Sequence, residues 1–154
     1  MHIYCRLGRI LMGVVVAFLL LSPLYAKEVK IQAPKEFGTY IKTAAGLKRL
    51  IPNVVFDEQG MLFIESNNPA RFPLKDLEYF LIYGPRNMEV LTMNPLLFVQ
   101  ASALGKPRFI FGKNVDITVQ DRGNNLHVIK PKGLLGRGYY CLWIEDTAWD
   151  FVIE

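Results

Sequence analysis

From Phe37 onward, most apolar runs in this chain are about five to seven residues long, and each is bounded by Pro, Gly, Asn or Asp. No window of about 11 residues sustains a helical period, so the core must be built from strands. "GTYIKT" and "LKRLI" flank "AAG", and "NVVFDE" and "MLFIES" flank Gln59-Gly60; each pair reads as a hairpin. "DRGNN" (121–125) joins "VDITV" to "LHVIK" as a third, because Gly and Asn tolerate the positive φ of a tight turn. "SNNPARFPLKD" (66–76) holds two prolines and reads as a loop, and "LEYFLIYG" (77–84) follows as the most hydrophobic central strand. "MEVLTM", "PLLFVQA" and "PRFIFG" continue the series. A short helix competes only over 93–105, where Leu96, Leu97, Ala101 and Leu104 have helical spacing; Phe98 and Val99 favour the pleat.

About ten strands at intervals of roughly 8 to 12 residues describe a single antiparallel β-sandwich, with a partly open β-barrel as the alternative. The sandwich domain spans 37–154. It is preceded by a polar tether with one proline over 27–36.

The N-terminus has a different pattern. Arg6 and Arg9 precede an uncharged apolar run from Ile10 to Leu21, and Ser22-Pro23 and Ala26 follow it. This is the layout of a secretory signal helix over 1–26, with cleavage expected after Ala26. The run holds 12 residues where a spanning helix needs roughly 20, so no stable membrane span is expected after cleavage. The expected location is therefore outside the cytoplasm, in the periplasm or the extracellular space. Without Arg6 and Arg9 the 18 basic residues fall to 16 against 14 acidic ones. No basic run is longer than Lys48-Arg49, so there is no stripe to track phosphates and no nucleic-acid partner is expected.

Signal removal also takes Cys5 and leaves Cys141. One cysteine forms no internal disulfide, and the domain must be held by packing. Cys141 lies in "GYYCLWI" (138–144), which puts Tyr139, Cys141 and Trp143 on one face and Tyr140, Leu142 and Ile144 on the other. With both faces apolar, this strand should be covered on two sides. "EDTA" turns the chain and "WDFVIE" pairs back, with Trp149, Phe151 and Ile153 on one face and Asp150, Val152 and Glu154 on a half-polar other. Transmembrane barrel strands need roughly 9 to 11 residues with one polar face, a pattern these runs lack.

Little here is equipped for chemistry. Cys141 and His127 are the single nucleophile and base that the composition permits as a dyad. Cys141 reads as a small core residue between Tyr140 and Leu142, and no catalytic residue is assigned. Zinc needs more His and Cys than one of each, and Asp57-Glu58, Asp76 with Glu78 and Asp116 with Asp121 match no calcium loop. No metal ligand and no cofactor is expected. Aromatic residues are the better lead, because Tyr and Trp combine large contact area with a polar tip. Tyr139 and Trp149 lie near the terminal turn. Arg71 and Phe72 sit between prolines in a pre-ordered loop, and these four are the candidate binding residues. Tyr40, Tyr83 and Tyr140 could share such a platform or fill the core, and Tyr79 and Trp143 are read mainly as core.

Gly38, Tyr40, Lys42 and Leu50 at the start, and Gly138, Tyr140, Leu142, Trp149 and Phe151 at the end, resemble the first and last strands of exported bacterial all-β proteins of unknown function. The likeness covers about a third of the mature chain. It implies a bacterial origin and an envelope location, and it carries no catalytic residues. The function expected is non-enzymatic: binding another cell-envelope component, an envelope protein or a polysaccharide, through a sheet edge or an aromatic face. A small hydrolase acting on an envelope polymer is the alternative.

Overall fold

Tight turns set the hairpins. In this computed structural model, which describes residues 31–66 and 68–154, Gln59 and Gly60 both take positive φ between β3 (Pro52–Glu58) and β4 (Met61–Glu65). Asp57 Oδ1 accepts the Gly60 N–H at 2.8 Å and closes that turn. The expected signal helix over 1–26, and the tether up to residue 30, lie outside the described residues. Ala33–Glu154 fold as one unit.

That unit is all-β, with twelve strands. β1 (Gly38–Thr43) and β2 (Gly46–Arg49) come before β3 and β4. β5 (Ala70–Phe72), β6 (Leu77–Tyr83), β7 (Thr92–Ala101) and β8 (Pro107–Phe111) follow. β9 (Ile117–Asp121), β10 (Leu126–Pro131), β11 (Gly138–Ile144) and β12 (Thr147–Ile153) complete the chain. The stretch read as a proline loop contains β5, which pairs in parallel with the end of β12; "MEVLTM" is a 3-10 turn (Met88–Val90) running into β7. The ambiguous 93–105 stretch is strand through Ala101.

Two layers form. One is an open sheet in the order β2-β1-β6-β10-β9, with β6 at its centre. In the other, β11, β7, β8, β4, β3 and β12 pair in sequence and β12 pairs back onto β11. The second layer is thus a closed six-stranded barrel with β5 attached, so the unit keeps the two packed sheets of the expected all-β sandwich, with one sheet closed on itself. Closure is made by β12, which holds β11 along seven residue pairs and β3 along three.

The apolar faces of β11 and β12 follow from this arrangement. Tyr139, Cys141 and Trp143 point into the barrel, where Cys141 joins Ile64, Leu96, Phe109 and Ala148 in one buried cluster. Leu142, Ile144, Trp149, Phe151 and Ile153 point out of the barrel into a second cluster shared with Ile41, Phe80, Ile82 and Ile129 of the open sheet. The terminal hairpin is the wall between two cores. Burying a large apolar side chain contributes about 1.5–3 kcal/mol, so a strand lined on both faces is the most heavily anchored element in the unit.

Candidate functional site

The barrel has a polar seam at one end. β12 pairs with β3 from Thr147 to Trp149 and then leaves it to run beside β5, so the wall opens next to Asp150. Asp150 faces inward with Ala148 and is buried. Asn53 Nδ2 donates to its Oδ1 at 2.6 Å, and the Ser66 hydroxyl donates to Oδ2. Burial raises the Asp150 carboxyl above its ordinary value and outweighs these two bonds, which act in the opposite direction. Cys141 lies opposite Asp150 in the β11–β12 register. Desolvation, and then the nearby carboxylate, push its thiol up, so it stays neutral.

At the same end, β7 is paired on one side only. Thr92 to Pro95 pair with β11, whereas Leu96 to Ala101 pair with β8 alone. Pro95 gives its carbonyl to Gly112 N–H on the β8 side, and the alternation of the ladder turns the backbone groups of Leu96 and Phe98 to the opposite edge. Because Pro95 has no N–H, its pairing with Tyr140 is made by the bonds on either side of it, which gives the Leu96 N–H to β11 and leaves the Leu96 carbonyl and both backbone groups of Phe98 unpaired on that edge. A bulge between Phe98 and Gln100 twists the strand beyond them, which limits the pairable stretch to 96–98. Leu97 and Phe98 are 52% and 63% exposed.

Where β7 and β11 part, there is an open cleft of about 880 Å³. Tyr139 is stacked on Phe109 with ring centroids 5.0 Å apart, and Phe98 meets Phe109 edge-on at 5.8 Å. These rings, Leu96, Pro69 and Pro107 make apolar walls. Arg71 closes one end: its Nη2 donates to the Tyr139 hydroxyl at 3.0 Å and its Nη1 pairs with Glu154 at 3.0 Å. Ser66, the partner of Asp150, also lines it.

The structure therefore brings together two of the four sequence candidates, Arg71 and Tyr139. The other two are buried. Phe72, 6% exposed, is stacked at 5.8 Å on Phe151 between the layers, and Trp149, 3% exposed, lies in the same core with the Arg86 guanidinium 5.6 Å over its ring. Alternation explains the division, because Phe72 faces away from Arg71 and Trp149 faces away from Asp150. Cys141 and His127 are on different sheets, and Cys141 points into the barrel, away from the sheet that carries His127. His127 Nδ1 stands 3.9 Å from Asp121 Oδ1. Among the described residues no group of three or more His, Cys, Asp or Glu is placed to hold a metal ion, and no helix is long and apolar enough to cross a membrane.

Sequence reasoning missed Phe98 and Phe109, which looked like ordinary strand residues, and the Asn53–Asp150–Ser66 seam. Asp150 carried a signal: it is an acid inside a strand whose neighbours are all apolar. No protein-family model, no curated protein and no solved structure matches the chain.

Proposed function

We propose that this is an exported, non-enzymatic β-domain that binds another cell-envelope component by strand addition at the free edge of β7, with the partner's side chains held in the aromatic cleft beside it. The observation that carries this reading is the edge left unpaired from the Leu96 carbonyl through Phe98, flanked by exposed apolar side chains and bordering the cleft. This edge offers one N–H donor, at Phe98, and two carbonyl acceptors, at Leu96 and Phe98. Soluble proteins commonly blunt such edges with charge or proline, but Leu96 to Ala101 carry neither. The backbone edge favours a polypeptide partner over a polysaccharide. Tyr139 and Arg71 on the far wall supply an aromatic face and a cation to its side chains.

Pull-down from the native envelope fraction, followed by hydrogen exchange on the complex, tests the reading. Wild-type protein should retain a partner, with the Phe98 amide protected in the complex, and a folded Phe98→Lys variant should lose it. Equal retention by the variant, or unchanged exchange at the Phe98 amide, would overturn it.

A further inference from the structure

A second concavity lies away from the cleft, where the chain crosses from the open sheet into the barrel. It has a volume of about 250 Å³, below the roughly 300–1,000 Å³ of drug-sized ligand sites, so any occupant is small. Arg49 and Arg86 line it, together with Phe37, Tyr83, Pro52 and Trp149. Arg86 is exposed and lies 5.6 Å over the Trp149 ring, and no carboxylate among the described residues pairs with it. A guanidinium set against an aromatic face keeps in-plane N–H donors for a planar anion. Arg49 already holds an anion: the exposed Glu36 carboxylate sits 2.7 Å from its Nη1. Gly38 makes room for that arm, since a Cβ there would lie 2.9 Å from Arg49 Nε.

We propose that this pocket binds a small organic carboxylate, with the charge held by Arg86 and Arg49 and the apolar body against Phe37 and Tyr83. Arg49 and Arg86 line one small concavity whose lining residues include no acid, which favours an anion, and the rings of Phe37 and Tyr83 favour one with an apolar body. Glu36 acts as an internal competitor for Arg49.

Benzoate is a suitable probe, titrated into the full chain with amide and indole resonances followed by NMR. Saturable shifts should appear at the Trp149 indole and at the Gly38 and Gly84 amides, with those of Phe98 and Tyr139 at the cleft unmoved. Arg86→Gln should weaken binding about tenfold or more, as expected for loss of a charge-assisted hydrogen bond. Glu36→Gln should tighten it. Benzyl alcohol, which keeps the ring and lacks the charge, should shift nothing at matched concentration. The proposal fails if benzoate gives no saturable shift, if benzyl alcohol moves the same resonances as strongly, or if Arg86→Gln and Glu36→Gln both leave the affinity unchanged.

Discussion

Asn53 Nδ2 donates to Asp150 Oδ1 at 2.6 Å across the place where β12 parts from β3. Ser66, at the end of β4, holds the other carboxylate oxygen. One buried acid therefore joins three segments at the point where backbone pairing in the barrel wall runs out. Replacing Asp150 with Ala should leave the Asn53 amide and the Ser66 hydroxyl unpaired and cost about 1–3 kcal/mol, measured by urea unfolding.

The same carboxyl makes stability depend on pH in an unusual direction. Its folded-state pKa is raised above the ordinary 3.8, so the folded protein holds the proton more tightly than the unfolded chain. The contribution is fully present below about pH 4 and is lost as pH rises through the raised value. The stability of wild type, measured relative to the non-titrating Asp150→Asn variant, should therefore fall as pH climbs from 4 toward neutrality. A rise in that relative stability over the same range would show that the carboxylate is stabilised by its two donors more than it is penalised by burial.

Cys141 is fully buried and its thiol is pushed up by desolvation. Alkylation by iodoacetamide at neutral pH should be negligible in the folded protein and prompt in denaturant. Rapid labelling under native conditions would mean that the barrel wall opens at β11.

Removal of 148–154 deletes β12 apart from its first residue, and with it the β3–β12–β11 closure and one wall of each core. The truncated chain should show no cooperative thermal transition. A soluble product that melts cooperatively would show that the barrel closes without its last strand.

Position relative to the two cores should rank aromatic substitutions. Phe151 is fully buried against Phe72, Phe80 and Tyr140, so Phe151→Ala should cost about 3–5 kcal/mol, a large share of the 5–15 kcal/mol typical of a whole domain. Phe98→Ala, at an exposed position, should stay within about 0.5 kcal/mol in the same denaturation assay.

The all-β class was legible from the length of the apolar runs, and the hairpins at Gln59-Gly60 and 121–125 from turn chemistry. The two-sided burial of β11 was legible from Tyr139–Ile144, because alternation assigns each side chain to a face. The candidate site was half legible. Arg71 and Tyr139 lie 68 residues apart and meet through the parallel β5–β12 pairing, which nothing in the proline loop announced.

Element type, most turns and the two apolar faces of the terminal hairpin were thus readable from the residues alone, since all of these depend on neighbours a few residues away. Packing between distant strands set the closure of one layer into a barrel, the burial of Asp150 at its polar seam, and the free edge that β7 keeps beside an aromatic cleft. Those outcomes depend on register between strands distant in the chain. A period of two fixes the side to which a residue points and leaves open what will be packed against that side.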